Sequence, residues 1–325
     1  MKVLLIGCGR MGQRYVAALT SLFPTLELTT VDPTTKLPQA RHHYAYLEEV
    51  ARQPFELAID AATNDRRGER FERLVDWAIP HILIEKPHAQ SLRESAHMLA
   101  IAARSKARVM VPFYRRFATH YAPSTLAQLG AGRLTGITIT SGAIGIGCNG
   151  VHYLDLANYL FSALPLGIFA DLSFDSIGSP RGSQFSDFGG TIYLRYANGY
   201  CNINVDPNSS RGVVVDLSFE FGKLVIHKQQ EPRWFWYARD GDDRSGPMSR
   251  THLEREVRPA VELNLDLLDL IGKGLQGLLG DGVFPSLAEG HVVLNQVQTA
   301  FDATRSASYV PFVMRDEGAD IFNFT

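Results

Sequence analysis

Cysteine is scarce in this chain of 325 residues: Cys8, Cys148 and Cys201 are widely spaced, with no C-x-x-C pair and no disulfide framework. Charge of one sign is also lacking, since 32 Lys and Arg against 34 Asp and Glu leave a formal net charge of −2. That balance gives no electrostatic case for nucleic acid or for an anionic membrane surface. No apolar run approaches the length of a membrane span, and the N-terminal one is too short for a signal segment. The phosphate-loop pattern G-x-x-x-x-G-K-[ST] and the nucleophile elbow G-x-S-x-G are both missing. The ten histidines include no H-x-x-x-H pair, so no metal site is expected. These absences lead to the expectation of a cytoplasmic protein with neither nucleic-acid nor membrane partners.

Apolar residues are plentiful at 45%, ample for sizeable cores, and the length suggests roughly two domains of about 150 residues. The chain opens with Lys2-Val-Leu-Leu-Ile6, a run that reads as a strand buried on both faces. Gly7-Cys-Gly9-Arg-Met-Gly12 follows and leads into helix-spaced apolar residues as far as Phe23. The spacing fits a dinucleotide-binding turn. Gly7 allows the bend, Gly9 lets backbone approach a pyrophosphate, and Gly12 lets helix pack on strand. Asp32, about 20 residues further on at the end of the next apolar run, stands where an acid accepts the adenosine ribose hydroxyls. A carboxylate there repels a 2′-phosphate, so NAD is the preferred cofactor, while NADP stays possible through Thr34, Thr35 and Lys36.

Short apolar runs at 57–61, 82–84 and 108–111 read as further strands, and 65–78 and 91–103 as helices, the latter with Ser91 as N-cap and Glu94 at the capping-box position. This alternation predicts an α/β Rossmann domain with a parallel sheet, residues 1–120, and places its ligands at the carboxyl ends of the strands. Gly7, Gly9, Arg10, Met11, Gly12, Asp32, Thr63, Asn64, Glu85 and Lys86 form the candidate cofactor-binding set. Beyond about residue 120 the pattern changes. Strands are expected at 134–146, 191–196 and 200–205 around Asn198-Gly199, at 213–220 and 223–227, and at 234–237; helices are expected from about Gly150, over 257–279 and over 287–303. This predicts an α+β C-terminal domain, residues 121–325, with a largely antiparallel open sheet covered by helices on one face.

Glu85-Lys86-Pro87 puts a lysine at a strand end, where it can hydrogen-bond a reacting hydroxyl or relay a proton, or simply remain a solvated loop residue. His152 can take a hydroxyl proton, and Asp155, three residues on, can orient the ring or shape the pocket. Tyr114, Arg115 and Arg116 fall at the domain junction, where an arginine can bind a carboxylate or phosphate or make an interdomain salt bridge. Trp234, Trp236 and Tyr237 can stack a sugar or fill core.

The glycine turn, Glu85-Lys86-Pro87, Phe113-Tyr-Arg115-Arg116-Phe117, Gly130-Ala-Gly-Arg-Leu-Thr-Gly136, His152-Tyr-Leu-Asp155 and the stretch from Phe284-Pro-Ser286 to Ala303 together resemble the Gfo/Idh/MocA oxidoreductases. That family includes glucose-fructose oxidoreductases and inositol dehydrogenases. The resemblance implies that Lys86 is the catalytic lysine, that His152 is the proton acceptor or donor, and that the open sheet joins subunits into a homodimer or homotetramer. Two departures stand out. Cys148 occupies the place of an aspartate four residues before the histidine, and Thr63-Asn64-Asp65-Arg66-Arg67 lacks the usual proline and histidine. Asn149 is the candidate to contact a substrate hydroxyl instead, so Tyr114, Arg115, Asn149 and Asp155 form the substrate-binding set. The expected activity is hydride transfer between NAD(P) and a secondary alcohol of a sugar, sugar acid, cyclitol or nucleotide sugar. A non-catalytic NAD(P)-binding sensor and a redox-assisted sugar lyase or hydrolase are the alternatives.

Overall fold

The computed structural model describes residues 1–128, 132–178, 182, 185–220, 222–227, 231–238, 253–257, 266–322 and 324. Six parallel strands form the first sheet: β1 (Lys2–Ile6), β2 (Glu27–Val31), β3 (His42–Tyr44), β4 (Leu57–Asp60), β5 (His81–Ile84) and β6 (Arg108–Met110). Their order is β3-β2-β1-β4-β5-β6, so the chain reverses direction across the sheet between β1 and β4, where such sheets hold their ligands. Helices α1 (Arg10–Leu22), α2 (Arg67–Asp76) and α3 (Leu92–Ala103) connect the strands. Leu4, Leu5 and Ile59 are fully buried between helices, each contributing roughly 1.5–3 kcal/mol of apolar burial. On α1, Tyr15, Val16, Ala18 and Leu19 face the core, and Arg10, Gln13, Ala17 and Thr20 face outward.

The edge strand β3 is not among the sequence expectations, because three residues of His-His-Tyr carry no apolar pattern. The cap at Ser91 forms, its hydroxyl accepting the Glu94 amide at 3.1 Å. Glu94's carboxylate instead accepts the Gln90 amide at 2.6 Å and the Gly68 amide at 2.8 Å, which ties the start of α2 to α3.

After α4 (Pro123–Gln128) the second sheet begins with β7 (Leu134–Ser141). It continues with β8 (Gly167–Gly178), β9 (Ser186–Tyr196), β10 (Gly199–Val205), β11 (Val214–Phe219), β12 (Gly222–His227), β13 (Glu231–Ala238), β14 (Leu253–Val257) and β15 (Val310–Pro311). Among the described residues its order is β14-β13-β12-β11-β7-β10-β9-β8-β15, antiparallel apart from the β7–β10 pair. Helices α5 (Val151–Phe161) and α7 (Leu287–Ser306) pack on one face of this sheet, and α6 (Leu267–Leu279) crosses back to pack against α1 of the first unit. The Ser286–Glu289 capping box starts α7.

Two local expectations need correction, and one strand had no expectation. The strand from Leu134 ends at Ser141, and Ile146–Gly150 forms a single π-helical turn, since Gly145 adopts a φ of +73° and breaks the extended chain. The long β8 escapes notice because exposed Phe169 and Phe174 blur its inward alternation of Ile168, Ala170 and Leu172. Val257 ends a strand rather than opening a helix, residues 258–265 lie outside the described residues, and α6 starts at Leu267. Gly130 and Ala131 of the linking motif also lie outside them.

Candidate active site

β1 stops where Gly7 takes a φ of +89°, and a Cβ there would collide with the Ala61–Ala62 backbone at the end of β4. A Cβ on Gly12 would strike the Gly7 carbonyl oxygen, so only glycine lets α1 close on the turn. Gly9 is the opposite case. A Cβ there would meet nothing within 4 Å, which leaves the main chain open to an approaching ligand. No side chain caps the N-terminus of α1, and its first turn holds no acid, so its amides and the positive end of the helix dipole are available to an anion. Gly7, Gly9, Arg10, Met11, Asp32 and Thr63 line a cavity of about 710 Å³ there.

Asp32 does more than line this cavity. One carboxylate oxygen accepts the Cys8 amide at 2.8 Å, and the other accepts the Thr34 and Thr35 amides at 2.9 and 2.8 Å and the Thr34 hydroxyl at 3.0 Å. Partial burial works to raise its pKa, but these bonds outweigh it and hold the carboxyl below its usual range. The charge is therefore pinned beside the glycine turn. Free amides, the open side of Gly9 and a fixed carboxylate together suit a dinucleotide.

Lys86 follows β5, in a cis peptide bond to Pro87. Its Nζ donates to the Cys148 carbonyl oxygen at 2.9 Å and lies 3.7 Å from the Cys148 sulfur, so β5 of the first sheet is tied to the π-helical turn before α5. His152, on the first turn of α5, packs edge-on against Phe113 with ring centroids 5.8 Å apart. Burial, then the charges of Lys86 and Arg115, push its pKa well below the usual imidazole value, so its resting form is neutral. Its Nδ1 has no hydrogen-bond partner among the described residues. Lys86 and His152 line one cavity of about 250 Å³ together with Arg14, Glu85, Arg115 and Asn149. Met11 borders this cavity and the larger one alike, so the two adjoin.

Several residues support these groups from behind. Asp187, at the start of β9, accepts the Gly147, Cys148 and Phe188 amides, each at 2.8 Å, and so fixes the turn that presents the Cys148 carbonyl to Lys86. Burial pushes its pKa up to about 6 against these bonds and the nearby Lys86 charge. Arg67 is fully buried in α2 and donates to the carbonyls of Ala62, Glu85 (2.6 Å) and Pro87, stitching the ends of β4 and β5 together. Glu85 accepts the Tyr15 hydroxyl, which in turn accepts the Tyr114 hydroxyl at 3.0 Å.

Other expected site residues occupy different places. Tyr114 borders the small cavity, but its hydroxyl is engaged with Tyr15. Arg115 lines the cavity with its guanidinium 4.1 Å from the centre of the Tyr153 ring. Asn149 also lines it and donates to the Ile144 carbonyl at 2.5 Å. Asn64 is buried and donates to the Phe322 and Phe324 carbonyls at 2.9 and 3.3 Å, which holds the chain's last segment in place. Asp155 lies outside the small cavity, in a buried bidentate pair with Arg116, whose other nitrogen donates to Glu289 at 2.6 Å. Burial works against the Arg116 charge, but Asp155 and Glu289 raise its pKa further. Of the two roles open to an arginine at this junction, Arg116 takes the salt bridge, with Asp155 and Glu289. The cavity wall also includes Arg14, Tyr121, Leu267 and Leu270, for which the sequence carried no pattern.

Residues 1–113 match a family model described as "Oxidoreductase family, NAD-binding Rossmann fold". No curated protein matches the sequence. Among solved structures, a levoglucosan dehydrogenase in complex with NADH is similar, with 17% identity, a TM-score of 0.78, and coverage of 97% of this chain and 100% of that one. An oxidoreductase from Agrobacterium radiobacter in complex with NAD+, L-tartaric acid and magnesium shares 15% identity at a TM-score of 0.74, covering 96% and 98%. The WlbA dehydrogenase from Bordetella pertussis, in complex with NADH and UDP-GlcNAcA, shares 14% identity at a TM-score of 0.69, covering 97% and 99%. At these identities the likeness is one of fold. No helix among the described residues is long and apolar enough to cross a membrane.

Proposed function

From residues 1–113 as an NAD-binding Rossmann domain of the Gfo/Idh/MocA oxidoreductase family, we propose that the protein oxidises a secondary alcohol of a sugar, sugar acid, cyclitol or nucleotide sugar, or runs that reaction in reverse. A bound nicotinamide supplies the acceptor for the hydride that leaves the alcohol carbon. The observation that carries this reading is the meeting of Lys86 and His152 in one cavity that shares Met11 with the larger one. Lys86 Nζ hydrogen-bonds the reacting oxygen and stabilises the negative charge that grows on it. His152, neutral at rest, takes the hydroxyl proton at an imidazole nitrogen and leaves a ketone. Gly9 and the first turn of α1 would hold the cofactor's pyrophosphate, and the Asp32 charge would favour a free ribose over a 2′-phosphate.

Lys86→Ala tests the assignment. The expected result is a loss of turnover of about 10²–10⁴-fold with NADH affinity nearly unchanged. Turnover equal to that of the unmodified protein removes Lys86 from the mechanism. One observation favours a second reading, a non-catalytic NAD(H)-binding sensor: the Lys86 ammonium already rests on the Cys148 carbonyl. NADH binding without reduction of NAD by any polyol or acid supports that alternative.

The same reading divides the chain into a cofactor domain, 1–120, and a substrate domain, 121–325. It also assigns the face of the second sheet that is free of helices among the described residues to a homodimer or homotetramer contact. That face carries Thr138, Thr140, Asn202 and Asn204 beside stacked Tyr193 and Tyr200, whose ring centroids are 5.9 Å apart. Light scattering on the protein and on Tyr193→Asp checks the contact, and a monomeric mass for the unmodified protein rules it out.

A further inference from the structure

Among the described residues, the wall of the 250 Å³ cavity holds three cationic side chains, Arg14, Lys86 and Arg115, against one carboxylate, Glu85. Glu85, buried with one oxygen on the Tyr15 hydroxyl and the other 3.1 Å from the Lys86 amide, offsets one of these charges and leaves the cations in excess. Arg14 reaches in from α1, half-buried, and makes no ion pair among the described residues; its guanidinium meets the Met11 sulfur at 3.5 Å. Lys86 rests on a neutral carbonyl. Arg115 is held flat against Tyr153, which sets the plane of its hydrogen-bond donors.

The field of these cations is felt by their neighbours. After burial, Lys86 and Arg115 are what disfavour a proton on His152, and Arg115 works against the burial that raises the Tyr121 pKa. A wall with this excess of positive charge is complemented by an anion and not by a neutral polyol.

We propose that the substrate carries a carboxylate: a small hydroxy acid or sugar acid whose carboxylate is gripped by Arg14 and Arg115 while its alcohol meets Lys86 and His152. This rests on the oxidoreductase reading and narrows it. Charge-assisted hydrogen bonds to carboxylate are about twice as strong as neutral ones, and a guanidinium can make two in parallel.

The test uses calorimetry on the NADH-loaded full chain with matched pairs: D-gluconate against D-sorbitol, D-glucuronate against D-glucose, L-tartrate against erythritol. D-glucose 6-phosphate serves as the phosphate-ester arm. The expected result is that at least one acid binds about tenfold or more tightly than its neutral partner and than the phosphate ester. Arg14→Gln and Arg115→Lys should each shrink that advantage, and so should a rise from about 0.01 M to about 1 M salt, which shortens the Debye length from about 30 to about 3 Å. Arg14 is half-exposed, so its variant keeps the test open should the Arg115 variant fold poorly. The proposal is overturned if neutral partners bind as well as the acids, if the phosphate ester binds best, if no acid binds, or if Arg14→Gln leaves the advantage intact. Failure of NADH itself to bind instead overturns the oxidoreductase reading, and fluorescence titration with NADH alone reports that separately.

Discussion

Where the larger cavity is lined from one continuous stretch of chain, residues 6–73, the smaller one gathers side chains from α1, the ends of β5 and β6, α5 and α6. The first needs particular residues mainly to keep side chains away: Gly7 and Gly12 for fit, Gly9 for access. The second needs particular atoms brought close, Lys86 on Cys148 and His152 beside Phe113, through elements far apart in the chain. The glycine turn is therefore defined by a few adjacent residues, and the setting of Lys86 by the whole fold.

The most damaging way to break this contrast is to remove the residue that joins the two regions. Arg67→Ala removes the donor to three carbonyls at the β4 and β5 ends and deprives buried Asp60 of one of its two cationic neighbours. We expect a stability loss of about 3–5 kcal/mol in urea unfolding, with no rescue by Lys, which lacks the planar fork. A loss below about 1 kcal/mol shows that the loops hold without it.

Within the turn, two alanines sharpen the comparison. Gly12→Ala should cost about 1–3 kcal/mol of stability through the clash with the Gly7 carbonyl. Gly9→Ala should leave the melting temperature nearly unchanged while weakening NADH by about tenfold. Equal effects of the two on melting would erase the distinction between fit and access.

The smallest expected effect concerns pH. An ordinary histidine base loses activity as pH falls through about 6.5. His152 has its folded pKa held well below that value, so it stays unprotonated through that range. The rate of alcohol oxidation under kcat/KM conditions should stay flat across it, and a titration step near pH 6.5 that vanishes in His152→Asn contradicts this assignment. The same shift makes folding less favourable on acidification. Below about 6.5 the unfolded chain binds a proton that the folded one does not, so stability falls as pH drops toward the folded pKa.

Much of the first unit was legible because its signals are local. Buried strands such as β1 show as apolar runs, and in the second sheet the Asn198-Gly199 turn fixes the register of β9 against β10. Legibility failed where a short range misleads. Asp155 is three residues from His152, yet the 100° step per residue turns it away by about 60° and one turn down the helix, where Arg116 claims it. Asn64 follows β4 as a ligand residue should, but Phe322 and Phe324, remote in sequence, take its side chain.

By itself the sequence determined the turn, five of the six parallel strands, and the placing of Gly7, Gly9, Arg10, Met11, Asp32 and Thr63 at the larger cavity, since backbone angles and the space left by a missing Cβ are settled within a few neighbouring residues. Only the tertiary structure decided which side chains surround Lys86: Asp187 under the Cys148 turn, Arg14 from α1, Leu267 and Leu270 from a helix that returns to the first unit. Contacts between residues so far apart form only when the chain packs. No periodicity or spacing along the sequence encodes them.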